Sequence, residues 1–163
     1  MKKMGHPYIV KLIEIIDDPN HHKQFLIQEY VPNGDLLKKI QKQNYTEDQM
    51  RKYFRQLVSA VWYCHEVVNI FHRDIKPDNI LIDMDDNIKL TDFGVSENGK
   101  TKKHKHKDEK IYGNAGSYCY FCPEACNEDG YSGKQADLWA CGITLYQMVY
   151  GGKLPFTSKQ NSI

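Results

Sequence analysis

The stretch HRDIKPDN, residues 72–79, carries five ionisable side chains and one amide in eight positions. It lies between two apolar segments, NIF at residues 69–71 and ILI at residues 80–82. Polar groups at such a place need fixed partners, because burying one without a hydrogen bond costs about 2–7 kcal/mol. The stretch therefore predicts a polar functional site held between two buried elements that serve as its rigid base.

The composition is that of a globular protein with a single core. The chain has 163 residues, of which 40% are hydrophobic and 26% charged, and its net charge is +1. This charge gives no argument for binding nucleic acid or an anionic membrane, and no apolar run approaches the roughly 20 residues that span a bilayer. The five cysteines are mostly clustered, which favours a reducing compartment. We expect a cytoplasmic protein, with the nucleus as the alternative location.

The first part of the chain predicts a hairpin followed by two helices. Residues 9–16 and 24–31 read as strands separated by the turn DDPN, and Asp35 is placed to cap a short helix. Thr46 and Gln49 form the capping box of a longer amphipathic helix. Its apolar face, predicted to be core, comprises Met50, Tyr53, Phe54, Leu57, Val58, Val61 and Trp62.

The second part predicts a small hairpin and a buried helix. The apolar runs at residues 80–82 and 88–90 pair as short strands, and residues 94–121 look irregular. Residues 136–150 are apolar nearly all round, which predicts a helix buried on every side. That helix contains Asp137, so a loop should donate hydrogen bonds to its carboxylate. The whole pattern is α+β.

Three polar residues are expected to meet at the second hairpin. Asn79 and Asp92 lie at its two ends, and a two-stranded hairpin returns the chain close to where it left. One carboxylate and one amide oxygen suit Mg²⁺, which also takes phosphate oxygens as ligands. Asp74 is placed to orient a hydroxyl, and Lys76 to offset phosphate charge. These are the requirements of phosphoryl transfer.

The motifs HRDIKPDN, DFG (residues 92–94) and CPE (residues 122–124), in this order, resemble the signature of the eukaryotic Ser/Thr protein kinase catalytic domain. The likeness extends from HPYIVKL at residues 6–12 to KQADLWACGITLY at residues 134–146. It implies a truncated protein-kinase-like fold. Residues 1–31 would be a remnant hairpin of the small lobe with the hinge, and residues 32–163 a partial, mainly α large lobe.

The resemblance implies roles in the reaction. Asp74 would accept the proton of the substrate hydroxyl, and Lys76, in the DIKP form of Ser/Thr kinases, would stabilise the transferred phosphoryl group. Asn79 and Asp92 would hold Mg²⁺. The donor would be ATP and the acceptor a protein Ser or Thr hydroxyl.

The resemblance also places ATP. Glu29 and Val31 would offer hinge backbone to adenine, with Gln28 as the gatekeeper. Asp35 would meet the ribose, and Leu81 would form the floor under the adenine.

Structural roles follow in the same way. Asp137 would bind the backbone of the HRD turn, and Ser117 would match the threonine that contacts the catalytic aspartate. Glu124 would lack its usual partner, an arginine beyond this chain. The positions that match the family's regulatory spine are Met1, Leu12, His72 and Phe93.

Arg73 beside Asp74 suggests control by phosphorylation of the activation segment. The candidate phosphate acceptors are Thr101, Tyr112 and their neighbours, although the usual phosphosite aligns with Asn114.

Within the family, the segments DDPN and DFGVS are similar to the corresponding sequences of the calcium/calmodulin-dependent protein kinase kinases. A calmodulin-binding segment would then lie C-terminal to this chain. Neither a glycine-rich loop nor a VAIK lysine is present, so we expect the chain to be a central slice of a kinase domain. The alternative function is an inactive truncated kinase or pseudokinase that acts as a binding scaffold.

Two further clusters have competing interpretations. The basic run at residues 100–107 would fit a nuclear signal, a nucleic-acid patch or a metal site, but a solvated loop insertion is favoured. Cys119, Cys122 and Cys126 have a spacing that a metal ion could use, although three ligands in a loop are a weak zinc signal.

Residues 1–163 by themselves are expected to transfer no phosphate, because the nucleotide-gripping strands of the family have no counterpart in them. The measurement is transfer of labelled γ-phosphate from ATP to a generic protein substrate. ATP-dependent transfer that disappears in Asp74→Asn would contradict the expectation.

Overall fold

Antiparallel strand pairs and two long helices build the protein in a computed structural model that describes residues 5–18, 21, 23–42, 45–99, 110–126 and 129–156. The expected α+β class is confirmed. The elements, in chain order, are β1 Leu12–Asp18, β2 Lys23–Gln28, α1 Leu36–Gln41, α2 Glu47–Trp62, β3 Ile70–Phe71, β4 Ile80–Ile82, β5 Ile88–Leu90, β6 Glu97–Asn98, β7 Lys110–Ile111, β8 Tyr131–Ser132 and α3 Gly133–Val149. The pairs are β1–β2, β3–β6, β4–β5 and β7–β8.

The two predicted hairpins form, with different burial. In β4–β5, Ile80 lies opposite Leu90 and both are fully buried. In β1–β2 most side chains are exposed, including half of the surface of Phe25 and of Leu26. The chain before β1 is tied to β5, because Val10 N donates to the Leu90 carbonyl at 2.9 Å. A domain boundary after residue 31 stays a prediction.

The helix starts match the sequence closely because capping is a local interaction. Asp35 accepts a hydrogen bond from Lys38 N at 2.8 Å and begins α1. At the start of α2, the Thr46 hydroxyl accepts from Gln49 N at 3.2 Å, and the Gln49 side chain accepts from Thr46 N at 3.0 Å. Both bonds of the predicted capping box are therefore present.

The predicted apolar face of α2 is correct in part. Tyr53, Leu57 and Val61 are buried, but Val58 is 41% exposed and Trp62 is 59% exposed. Their assignment to the core was wrong. The stripe that α2 turns toward β5 and α3 contains Tyr53, Leu57, Ala60 and Val61, and residues 58 and 62 lie to one side of it.

A π-helical turn, Tyr63–Val67, extends α2 at its C-terminal end. Such a turn holds one more residue than an α-helical turn, and it often occurs at functional sites. Within it Cys64 and His65 are buried. The turn therefore directs a histidine into the interior.

Helix α3 is less enclosed than predicted. Asp137, Thr144 and Met148 are buried, whereas Leu138 is 56% exposed and Val149 is 54% exposed. The expectation of burial on every side was wrong, because neighbours among the described residues cover only one side of the helix. Among the residues that the structure describes, no helix has both the length and the apolar character needed to cross a membrane.

Asp86, in the β4–β5 turn, joins this hairpin to α1 and α2. Its carboxylate accepts hydrogen bonds from Lys39 Nζ at 2.6 Å and Gln49 Nε2 at 3.2 Å, and from the Tyr53 hydroxyl. Burial alone would raise the pKa of Asp86, but these donors outweigh it and lower the pKa to about 2. Asp86 has φ 58°, a left-handed conformation that Asn also tolerates.

Replacing Asp86 by Asn should destabilise the fold in a pH-dependent way. The folded pKa of about 2 lies below the ordinary value of 3.8, so the stabilisation is present above about pH 4 and is lost as the pH falls toward 2. We expect a loss of about 1 kcal/mol in unfolding free energy at pH 7, discounted because the side chain is 37% exposed. The loss should be smaller at pH 3, as measured by urea unfolding. The control is Asp85→Asn, in the same turn and exposed. Equal stability of Asp86→Asn and the unmodified protein at pH 7 would contradict the prediction.

Candidate active site

Asp137 of α3 anchors the loop that follows β3. Its side chain is 1% exposed. One carboxylate oxygen accepts from His72 N at 2.8 Å and is 2.7 Å from His65 Nε2, and the other accepts from Arg73 N at 2.8 Å. The loop donors that the sequence required for this carboxylate are thus present. His65 is a third partner that sequence reasoning missed, although the need for several donors around one buried charge was a signal.

Arg73 has an unusual backbone conformation. Its φ is 70°, in the left-handed region, which costs an L-residue roughly 1–2 kcal/mol. The hydrogen bond from its amide to Asp137 holds this conformation. The Arg73 guanidinium pairs with Glu97 at 2.6 Å, whereas the carboxylate of the next residue, Asp74, has different partners.

The Asp74 carboxylate is surrounded by donors. Lys76 Nζ donates to its Oδ2 atom at 2.8 Å, and Asn79 Nδ2 donates to the same atom at 2.9 Å. Ser117 N donates to Oδ1 at 2.9 Å, while Lys76 Nζ also donates to the Ser117 hydroxyl at 2.8 Å. The structure therefore brings together four of the residues predicted for the site.

The pKa of Asp74 follows from these contacts. Burial by itself would raise it, since the residue is only 8% exposed. The hydrogen bonds from Lys76, Ser117 and Asn79, with the positive charge of Lys76, outweigh burial and lower the pKa below its ordinary value. Asp74 is consequently a carboxylate at neutral pH.

His72 connects the loop to the DFG segment. Its Nε2 atom lies 2.9 Å from the Thr91 carbonyl and its Nδ1 atom lies 3.3 Å from Asp74 N. Nε2 therefore carries the proton and Nδ1 accepts. Burial lowers the pKa of His72, which keeps the ring neutral. The ring packs on Phe93 with centroids 4.6 Å apart.

Leu12 and Met1 are the other two positions that match the family's regulatory spine. Leu12 is partly buried at the start of β1. Met1 lies outside the described residues.

Asn79 and Asp92 lie at the same end of the β4–β5 hairpin. Thr91 N donates to the Asn79 carbonyl at 2.9 Å, so Asp92 is one residue beyond the partner of Asn79. Asn79 Nδ2 donates to the backbone carbonyl and to the Oδ2 atom of Asp74. The Asn79 amide oxygen accepts no hydrogen bond from the described residues. One Asp92 oxygen accepts from Gly94 N at 3.2 Å.

This pair fits the donor set expected for Mg²⁺. It supplies two hard oxygens, and a magnesium ion obtains its other ligands from water and phosphate. In the described residues no three His, Cys, Asp or Glu side chains form a group that could hold a metal ion. That finding covers Cys119, Cys122 and Cys126, so the zinc interpretation has no support. All five cysteines are free thiols.

The predicted adenine-binding backbone lies just after β2. Glu29 is fixed by its carboxylate, which accepts from Lys11 N at 2.8 Å and from Lys89 Nζ at 3.0 Å. No backbone hydrogen bond among the described residues uses the Glu29 carbonyl or the Val31 amide. Asp35 forms a bridge with Leu81, which brings the predicted ribose and adenine positions together.

The segment after DFG is placed against the loop by Gly116. Its φ is +105°, and a Cβ atom there would overlap the Arg73 carbonyl oxygen and come within 3.2 Å of Asp74 Oδ1. Only glycine allows this close approach. The basic run at residues 100–107, with Thr101, lies outside the described residues.

Glu124 was expected to be a charge without its usual arginine partner. Its side chain is exposed, so the desolvation cost of an unpaired buried charge does not apply to it. It contributes to the raised pKa of the neighbouring Cys122 thiol, for which burial is the larger cause.

Comparison with known proteins identifies the family. The model described as "Protein kinase domain" matches residues 1–163. The chain belongs to the protein kinase family. This match covers the kinase domain's loop, its DFG segment and α3 together, as the resemblance of the motifs implied.

Three relatives of this kinase domain are plant proteins. It is 38% identical over 156 residues to CBL-interacting protein kinase 26 of Oryza sativa subsp. japonica, which covers 96% of the chain and 30% of the relative. It is 40% identical over 159 residues to CBL-interacting protein kinase 10 of the same plant, and the alignment covers 98% of the chain and 34% of the relative. It is also 40% identical over 161 residues to CBL-interacting serine/threonine-protein kinase 16 of Arabidopsis thaliana, and the alignment covers 96% of the chain and 34% of the relative.

The chain thus spans about a third of the length of these curated relatives. They are named as CBL-interacting kinases, whereas the segments DDPN and DFGVS suggested calcium/calmodulin-dependent protein kinase kinases. The family expectation is confirmed, and the suggested subfamily is not the one these relatives represent.

Replacing Gly116 by Ala should detach the kinase segment from Asp74. The overlap with the Arg73 carbonyl adds about 1–3 kcal/mol to the left-handed strain of an L-residue. We expect faster deuterium uptake at the Ser117 amide, measured by hydrogen-exchange mass spectrometry. Gly34→Ala is the matched control, since Gly34 is also left-handed (φ +75°) but a Cβ there meets nothing within 4 Å. Equal uptake in the two variants would refute the proposed close approach.

Proposed function

We propose that the protein containing this chain is a Ser/Thr protein kinase that transfers the γ-phosphate of ATP to a hydroxyl of a protein substrate. The observation that carries the proposal is the Asp74 carboxylate, which Lys76, Asn79 and Ser117 hold beside the end of the hairpin that bears Asp92. Family membership supports the reaction class. ATP, Mg²⁺ and the protein substrate are the partners that this reaction requires.

The residues of the loop would divide the chemistry. The substrate hydroxyl oxygen forms a bond to the γ-phosphorus as the bond between that phosphorus and the ADP oxygen breaks, and ADP leaves with the electron pair. Asp74 orients the hydroxyl and takes its proton. Its hydrogen bonds and the charge of Lys76 lower the pKa of Asp74, which keeps the carboxylate deprotonated and able to accept that proton.

Three residues near Asp74 would offset the negative charge of the phosphate groups. Lys76 donates to both Asp74 and the Ser117 hydroxyl, and it would stabilise the transferred phosphoryl group. Asn79 and Asp92 would hold Mg²⁺, which when bound neutralises phosphate charge.

The nucleotide would lie along the hinge. The Glu29 carbonyl and the Val31 amide, which have no backbone partner among the described residues, would hydrogen-bond to adenine, with Leu81 below the ring. Asp35 would reach the ribose while it caps α1. A second proposal is that the whole protein binds a CBL protein, the partner in the relatives' names, in place of calmodulin.

The test is Asp74→Asn in the full-length protein, assayed with ATP, Mg²⁺ and a peptide library. We expect kcat to fall about 10²–10⁴-fold, because the variant lacks the proton acceptor. Asp78→Asn is the matched control, since Asp78 is an exposed carboxylate of the same loop. Equal loss in both variants would contradict the role of Asp74. ATP binding with no transfer by the unmodified protein would favour the scaffold.

A further inference from the structure

Two of the three nitrogens of the Arg73 guanidinium have partners from within the chain, whereas its buried Nε atom has none among the described residues. Its side chain is 10% exposed. The NH1 group donates to Glu97 Oε2 at 2.6 Å, and the NH2 group donates to the Gly113 carbonyl at 3.0 Å. A guanidinium that is nine-tenths buried needs an anionic partner, and Glu97 supplies the charge.

The position of Glu97 is set by strand pairing. In the β3–β6 pair Glu97 lies opposite Phe71, two residues before Arg73. Gly99 follows β6, and a Cβ atom there would come within 2.9 Å of both Asn69 and Phe71, so β6 lies tightly against β3. The carboxylate is therefore carried on a fixed strand.

The ion pair reaches the active site through the segment from Gly113 to Ser117. Arg73 NH2 holds the Gly113 carbonyl, which also accepts from the Tyr131 hydroxyl at 3.3 Å. Four residues later, Ser117 N donates to the Asp74 carboxylate. Arg73 thus holds one end of a short segment whose other end positions the proton acceptor.

We propose that Glu97 is a positioning residue that takes the place of an activation-segment phosphate. Phosphorylation orders kinase segments by giving such an arginine a new anionic partner. Here a carboxylate provides the anion permanently, so phosphate transfer requires no phosphate between residues 92 and 124. This inference rests on the proposed function, and it specifies the regulation of the same site.

The candidate acceptors agree with this view. Tyr112 is 61% exposed, and Asn114 occupies the position where the sequence places the usual phosphosite. A phosphate would have to displace Glu97 from Arg73 and would be repelled by its carboxylate. Phosphorylation of the segment should therefore add little to the rate.

The experiment uses the full-length protein in a peptide phosphorylation assay. The unmodified protein is treated with phosphatase until mass spectrometry finds no phosphate between residues 92 and 124, and we expect its kcat to stay within about twofold. Glu97→Gln should lower kcat about tenfold or more with little change in the KM for ATP, because the catalytic geometry loosens. Glu97→Asp should restore part of the rate. Glu66→Gln, which removes an exposed ion pair with Lys134, should leave the rate unchanged.

A second measurement does not depend on catalysis. Deuterium uptake at the Ser117 amide should increase in Glu97→Gln and not in Glu66→Gln. The proposal is overturned if dephosphorylation abolishes activity that returns with phosphate on residues 92–124, or if Glu97→Gln changes neither kcat nor uptake. If the unmodified protein transfers no phosphate at all, the proposed function fails, and uptake alone decides whether Glu97 holds the segment.

Discussion

The fold depends on one buried carboxylate that neutralises a polar turn. Asp137 lies on α3, and the three groups it binds belong to the α2 end and to the loop after β3. A lone buried charge would be very costly, so α2, α3 and the loop are stable only together. This mutual dependence explains how a loop rich in charges can be rigid. It also explains why the Asp74 carboxylate can lie almost entirely out of water.

Around this anchor, successive side chains of the loop serve different neighbours. His72 turns inward to the DFG segment, Arg73 turns toward Glu97, and Asp74 faces Lys76 and the segment at Ser117. The left-handed conformation at Arg73 makes this division possible, because it separates two adjacent charged side chains. The strain is local, and the hydrogen bonds that offset it come from elements distant in sequence.

Local features of the fold were readable from the sequence, and distant ones were not. The caps at Asp35 and Thr46 follow from interactions within three residues, and the need of Asp137 for donors follows from its burial alone. By contrast, Trp62 fits the apolar period of α2 but lies outside the packed stripe, which only the placement of neighbouring elements determines. The role of Glu97 depends on the β3–β6 register, and two-residue strands leave almost no signal in the sequence.

The π-helical turn at Tyr63–Val67 has a consequence for how this region can vary. Deleting one residue would return the turn to α-helical spacing, and each residue of an α-helix rotates the chain by about 100° and advances it by about 1.5 Å. His65 would then swing away from Asp137. Insertions and deletions between α2 and β3 are consequently disruptive, because they break the contact between His65 and Asp137.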